Sequence, residues 1–137
     1  MDWEECNKKK FVKIIKVDEG LIKSLKETSK NKFISASSLG LNEVTSSSVI
    51  SLYYDSLRET LEALALSNGY KIYNHECYAR FLKNILHDEE LSNEFDRIRK
   101  IRNGLNYYGE KLSLVESKYI IDDIKGIIGR IKRYLRW

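Results

Sequence analysis

Hydrophobic residues recur at steps of three and four along much of the chain, which is the spacing of one face of an α-helix. The clearest stripe lies in residues 43–67 and consists of Val49, Tyr53, Leu57, Leu61 and Leu64. Comparable stripes lie in residues 74–87, 88–107 and 113–135. The pattern therefore predicts four consecutive helices after residue 43.

Polar residues at the predicted ends support these helices. Asn68-Gly69 can close the first of the four, since glycine readily takes the left-handed conformation that ends helices. Asn74 can cap the start of the second. Ser113 and Glu116 have the spacing of a capping box at the start of the fourth.

The first third of the chain is more ambiguous in its pattern. Residues 2–28 carry an apolar stripe and are predicted to form one helix; the stripe contains Phe11, Ile14, Ile15, Leu21, Ile22 and Leu25. Residues 29–48 are rich in serine and contain Gly40, so we predict a long loop there. We therefore predict that the chain has two parts. Residues 1–42 form an N-terminal helix with a serine-rich connector, and residues 43–137 form a helical bundle.

Composition agrees with a helical protein. The 137 residues include no proline and only 7 glycines, fewer than the many tight turns of a β-sandwich or barrel need. The predicted fold class is all-α, an antiparallel up-down four-helix bundle core with an extra N-terminal helix. No apolar run approaches the roughly 18 residues that span a bilayer, so we expect no membrane segment.

Cysteines and charge add two expectations. Cys6 and Cys77 form no disulfide framework, so we expect buried or inert thiols and a cytoplasmic location.

Residues 90–137 carry 11 Lys and Arg against 7 Asp and Glu. This excess favours an anionic partner for the last third, although an ordinary solvated face also explains it.

Arg102 is the residue on which a functional prediction depends. It lies four residues after Ile98 and three before Leu105, on the apolar side of its predicted helix. A guanidinium there is costly unless it is paired or faces a cleft. One interpretation is a snorkelling arginine paired with an acid such as Glu59 or Glu62. The other is an anion or phosphate site that includes Asn103 and Asn106.

Residues 97–109, RIRKIRNGLNYYG, resemble the signature of the HEPN family (higher eukaryotes and prokaryotes nucleotide-binding). Members are small helical bundles, usually dimeric, with an arginine, often an Asn or Asp after it, and a histidine four to six residues later. Arg102-Asn103 matches the first half of that motif. Residues 53–76 also resemble the preceding helix and turn in small prokaryotic members, and the resemblance covers roughly residues 43–135.

The resemblance implies a site at the end of the helix predicted over residues 88–107, with Arg102, Asn103, Asn106 and Tyr108 as ligand-binding residues. The family's histidine position falls on Tyr107, Tyr108 or Gly109. A tyrosine, whose pKa is about 10, is a poor general base at neutral pH but can donate a hydrogen bond. We therefore name Arg102, Tyr107 and His75 as candidate catalytic residues. His75 is included because the predicted topology brings it to the same end of the bundle as Arg102.

Three functions stay open at the level of sequence. The first, which we favour, is a HEPN-like homodimer that binds a nucleotide or RNA phosphate without catalysis; the resemblance also suggests a minimal nucleotidyltransferase-like protein as its partner. The second is a metal-independent ribonuclease that uses Arg102 with His75 or a tyrosine. The third is a structural or interaction bundle without a ligand site. No metal-binding or cofactor-binding motif is present, so none is predicted.

Overall fold

A computed structural model describes residues 1–107 and 111–137, with side chains described as far as Leu105 and again from Lys111. The described residues form mostly helices, together with one small antiparallel sheet, which places the chain in the all-α class. The elements in chain order are α1 (Trp3–Lys8), β1 (Val12–Ile14), α2 (Glu19–Ser38), α3 (Ser46–Ser67), β2 (Tyr70–Ile72), α4 (His75–Asn84), α5 (Glu89–Tyr107) and α6 (Leu114–Leu135).

The four helices predicted after residue 43 are confirmed as α3 to α6, with no end shifted by more than three residues. Their predicted caps are present too. Gly69 has φ +86° after the end of α3. The Asn74 side chain accepts hydrogen bonds from Glu76 and Cys77 at the start of α4. Ser113 and Glu116 form the complete capping box of α6.

The N-terminal prediction is wrong in two places. The single helix predicted over residues 2–28 is divided into α1, β1 and the start of α2. β1 pairs antiparallel with β2, with Val12 opposite Ile72, and these two side chains are buried. The serine-rich loop predicted over residues 29–48 is also incorrect, because α2 continues to Ser38.

Buried hydroxyl groups explain why the serine-rich segment is helical. The Ser29 hydroxyl lies 3.0 Å from the Ser56 hydroxyl and 2.8 Å from the Thr60 hydroxyl on α3, and all three side chains are buried. Further along, Ser37 shares a hydrogen bond with Tyr53. Because later residues of α2 meet earlier residues of α3, the two helices run antiparallel. Partners on α3 therefore outweigh the low helix propensity of serine.

Helix α5 runs antiparallel to both of its chain neighbours. The side-chain contacts that show this are Ser92 with Ala79 and Glu89 with Lys83 towards α4, and Arg97 with Asp123 and Glu94 with Arg130 towards α6. The core lies among α3, α4, α5 and α6. Its largest fully buried side chains are Ile50, Tyr54, Leu57, Leu61, Leu64, Phe81, Leu82, Leu91, Phe95, Ile98 and Ile124.

The two cysteines are bonded to each other, which corrects the expectation of free thiols. Cys6 on α1 and Cys77 in the first turn of α4 form a disulfide with Cα atoms 6.0 Å apart, and both residues are fully buried. The bond links the N-terminal segment to α4. The argument for a reducing compartment, which depended on free thiols, therefore no longer holds.

None of the helices in the described part of the chain combines the length and apolar character that crossing a bilayer requires.

Candidate functional site

Strand β2 determines which residues meet at the candidate site. After α3 ends, the chain returns along that helix instead of turning directly into α4, and Lys71 forms an ion pair with Glu62 on the way. Tyr54 lies about 20 Å before the end of α3 at 1.5 Å per residue. The extended segment 69–75 covers about the same distance at roughly 3.3 Å per residue. His75, the first residue of α4, therefore arrives beside Tyr54.

His75 and Tyr54 are joined by a hydrogen bond. The His75 Nδ1 atom lies 3.1 Å from the Tyr54 hydroxyl oxygen. Tyr54 is fully buried, and its ring stacks on Phe95 of α5 with centres 6.4 Å apart. Burial raises the pKa of Tyr54 to about 12, so this phenol is neutral at physiological pH. A rigid, neutral phenol thus fixes one ring nitrogen of a half-buried histidine.

Arg102 reaches the same tyrosine from α5. Its guanidinium carbon lies 5.2 Å from the centre of the Tyr54 ring, within the range of a cation–π contact. The centre of the His75 ring lies 6.0 Å from the same point. The guanidinium carbon and the histidine ring centre are therefore no more than about 11.2 Å apart. Arg102 makes further contacts besides this one.

Two more arginines surround the pair. Arg58 lies one turn after Tyr54 on α3, and Arg99 lies three residues before Arg102 on α5. Burial lowers the pKa of His75, and the positive charges of Arg58, Arg102 and Arg99 lower it further, against the opposing negative charge of Asp55. The histidine is thus neutral at pH 7, in surroundings where cations dominate.

Carboxylates hold the two flanking arginines in place. Asp96 accepts hydrogen bonds from Arg99 Nε at 2.9 Å and lies 2.8 Å from Arg99 Nη2. Burial raises the pKa of Asp96, but the hydrogen bonds and charges of Arg99 and Lys100 together outweigh burial and hold the pKa below its ordinary value. Arg58 lies 3.4 Å from Glu62. These contacts orient the guanidinium groups before any ligand arrives.

The snorkelling interpretation of Arg102 named Glu59 or Glu62 as its partner. Glu59 forms ion pairs with Lys32 and Arg58, and Glu62 forms them with Arg58 and Lys71.

Asn103 is half-buried on α5 next to Arg102.

The other predicted site residues lie at the edge of the described region. The backbones of Asn106 and Tyr107 continue α5, but their side chains lie outside the described residues, and so does Tyr108. The predicted topology also implies that His75 approaches Asn106 or Tyr107 at that end of the bundle, and this stays a prediction.

Sequence reasoning missed Tyr54, Arg58 and Arg99 as members of this cluster. A signal existed for the two arginines. Arg99 is one helical turn from Arg102 on the same flank, and Arg58 is one turn from Tyr54. No local pattern reveals Tyr54 as the meeting point, because its two partners come from different elements.

Metal binding has no support in the described part of the chain. No three of its His, Cys, Asp and Glu side chains lie close enough together to hold an ion. The sequence neighbours His75, Glu76 and Cys77 do not form a ligand set, since the Cys77 sulfur is bonded to Cys6.

Comparison of the chain with protein-family models, curated proteins and solved structures found no match in any of the three.

Proposed function

We propose that this chain binds the phosphate groups of a nucleotide or of single-stranded RNA between Arg102 and His75. One observation carries the proposal: a histidine and an arginine from different helices converge on one buried tyrosine, with Arg58 and Arg99 beside them. Arginine is well suited to phosphate, because its planar donors match two phosphate oxygens. The excess of cations acting on the histidine favours an approaching anion.

The resemblance to the HEPN family extends this proposal to the remaining residues. Arg102 would hold the phosphate, with Asn103, Asn106 and Tyr108 as further ligand-binding residues. The family resemblance also implies a four-helix core, a homodimer with the Arg102 ends facing each other, and a nucleotidyltransferase-like partner. We leave the predicted cytoplasmic location out of the proposal, because the Cys6–Cys77 bond is typical of oxidising compartments.

A binding assay with short fluorescent RNA tests the proposal. Arg102→Ala is expected to weaken binding at least tenfold, and to reduce the slope of log affinity against log salt by about 0.7, the value for one single-strand phosphate contact. Arg97→Ala is the matched control. Arg97 is exposed on the same helix and pairs with Asp123, so the variant removes the same charge outside the site. Equal losses in the two variants would contradict a phosphate site at Arg102.

The second candidate function is a metal-independent endoribonuclease, and the state of His75 favours it. If Nδ1 carries the proton and donates to the Tyr54 oxygen, Nε2 has a free lone pair. Nε2 would then take the proton of a ribose 2′-hydroxyl while that oxygen attacks the neighbouring phosphorus. The bond from phosphorus to the 5′-oxygen breaks, and the departing oxygen takes a proton from solvent water while His75 returns its own proton to solvent, leaving a 2′,3′-cyclic phosphate and a 5′-hydroxyl. Arg102 would balance the charge on the phosphate oxygens.

Incubation with RNA in excess EDTA separates the two candidates. Ribonuclease activity predicts cyclic phosphate ends and a large loss of cleavage in both His75→Gln and Arg102→Ala. Binding without catalysis predicts intact RNA and a loss of affinity in Arg102→Ala. Absence of both signals supports the third possibility, a bundle that acts through protein contacts. Sedimentation of the purified chain measures the proposed dimer independently.

A further inference from the structure

One face of the small sheet carries two lysines directly opposite each other. Lys13 of β1 is the register partner of Lys71 of β2. Directly opposite residues of an antiparallel pair project from the same face, with Cβ atoms about 4.5–5.5 Å apart, and like charges there repel. Lys71 forms an ion pair with Glu62, whereas Lys13 is exposed and has no ion pair within the described residues. A bound anion would relieve the repulsion that this face retains.

Tyr73 continues the same face just beyond β2. Side chains two residues apart in an extended segment lie on one side of it, and the Lys71 ammonium is accordingly 5.9 Å from the centre of the Tyr73 ring. The Tyr73 amide donates to the Phe11 carbonyl oxygen at 2.8 Å, which holds the backbone in place. The residue is nevertheless 60% exposed. It is thus an aromatic surface with a fixed backbone, open to solvent beside two cations.

This face leads directly to the candidate phosphate site. Lys71 contacts α3 one turn after Arg58, and His75 contacts α3 one turn before Arg58. Tyr73 lies midway between Lys71 and His75 and is therefore level with Arg58. Its Cα atom is about 7 Å from that of His75, at roughly 3.3 Å per residue of extended chain. A ligand held at His75 therefore has the Tyr73 ring as its neighbour.

An exposed aromatic ring among cations, next to a phosphate site, is the arrangement by which proteins bind single-stranded nucleic acid. Bases stack on such rings, while lysines and arginines follow the phosphates. A base inside a duplex is already covered on both faces by its neighbours and is not free to stack on Tyr73. The same face would give an acidic peptide its charge pairs but no use for the ring.

We propose that Tyr73 stacks on a base of single-stranded RNA whose backbone continues from the Arg102 and His75 site across Lys71 and Lys13. This inference rests on the proposed function, since the phosphate next to the stacked base is the one held between Arg102 and His75. It adds the requirement for an unpaired base and a path for the strand over the sheet.

Two labelled strands of equal length and charge test the stacking by fluorescence anisotropy: a short oligoadenylate, and a ribose-phosphate strand without bases. Tyr73→Leu is expected to weaken oligoadenylate binding at least fivefold and to leave binding of the abasic strand unchanged. Tyr73→Phe, which keeps the ring, should retain the affinity of the parent chain. Unchanged oligoadenylate affinity in Tyr73→Leu, or equal losses for the two strands, would overturn the proposal.

Tyr134→Leu is the matched control, because it removes an exposed tyrosine ring outside the site. The Tyr134 hydroxyl donates to Asp88 at the other end of α5 from Arg102, about 21 Å away along that helix at 1.5 Å per residue. This variant should bind both strands as the parent chain does. A loss of oligoadenylate affinity equal to that of Tyr73→Leu would contradict a specific role for Tyr73.

Lys13→Gln tests the path of the strand over the sheet. It should weaken binding of both strands and reduce the slope of log affinity against log salt by about 0.7, the value for one phosphate contact. The unliganded variant should be at least as stable as the parent chain at low salt, because the repulsion between Lys13 and Lys71 is removed. An unchanged salt slope would contradict this path.

Arg102→Ala, measured with the same two strands, separates the stacking from the phosphate site. This variant should bind both strands more weakly, because each contains the phosphate groups. A loss in Arg102→Ala without a loss in Tyr73→Leu would overturn the stacking and leave the phosphate site standing. A loss in neither variant would overturn both.

Discussion

Reduction of the Cys6–Cys77 bond is expected to lower the free energy of unfolding by about 4 kcal/mol. The two cysteines are separated by 71 residues in sequence. Closing a loop of that length in the unfolded chain removes conformational entropy worth about 4.4 kcal/mol at 25 °C in the chain-entropy model. Marginally stable domains have only about 5–15 kcal/mol in total, so the effect is large enough to measure.

The structure also indicates where the reduced protein weakens first. α1 has only six residues and could not persist as an isolated helix. Apart from the disulfide, it is held by contacts of Trp3 with Phe81 at 6.3 Å and with Tyr70 at 5.5 Å between ring centres. Reduction should therefore release α1 before the rest of the fold unfolds.

Urea unfolding with and without reductant measures both effects. In a Trp137→Phe background Trp3 is the single tryptophan, so its fluorescence reports on α1 while circular dichroism reports on all helices. A Cys6→Ala, Cys77→Ala double variant should match the reduced protein approximately and should not respond to reductant. A difference below about 1 kcal/mol between oxidised and reduced protein would refute the argument from loop entropy.

Three further predictions concern individual residues. The pKa of His75 in the folded chain is lowered from 6.5. As the pH falls below 6.5, the unfolded chain therefore binds a proton at this residue before the folded chain does. The free energy of unfolding should consequently decrease as the pH is lowered through this range. His75→Gln should flatten that slope in denaturation curves; contributions of Asp96, whose pKa is lowered from 3.8, are lost only at lower pH. Gly69→Ala should cost about 1–2 kcal/mol by urea unfolding, since φ of +86° is unfavourable for alanine. Phe95→Ala should cost about 3–5 kcal/mol by the same measurement, because its fully buried ring leaves a cavity.

Local patterns were sufficient to predict α3 to α6 and failed where distant partners decide the structure. Apolar stripes and caps are properties of neighbouring residues, and they gave those four helices. The stripe through Phe11, Ile14 and Ile15 also has helical spacing, yet this segment pairs as a strand with residues about 60 positions away. The serine-rich part of α2 failed for the same reason, because its partners are on α3.

The candidate site shows the same division. The position of Arg102 on an apolar helix face was sufficient to predict it as a site residue. Its contact with Tyr54, which His75 also contacts, became visible only in the structure. The predicted turn between α3 and α4 would have placed His75 elsewhere along α3. The return of the chain along β2, which has only three residues, is set by pairing with β1 and could not be seen in the sequence of the turn.

The hydroxyl cluster of Ser29, Ser56 and Thr60 fixes the alignment of α2 on α3. An apolar interface would tolerate sliding by one turn, since most aliphatic side chains pack acceptably against others. Such a slide would separate these three buried hydroxyls and leave those of Ser29 and Ser56 without a partner, at a cost of about 1–3 kcal/mol apiece, while Thr60 would keep its bond to the Ser56 carbonyl oxygen. The interface thus has a strong preference for one register.

This preference limits how the interface can change in evolution. Replacing Ser29 alone by an apolar residue removes a hydrogen-bond partner from both Ser56 and Thr60. Replacing all three together leaves no buried hydroxyl that lacks a partner. Acceptable sequences at these positions should therefore be all polar or all apolar. In the apolar set, α2 would keep its attachment to α3 and lose the means of choosing a single position along it.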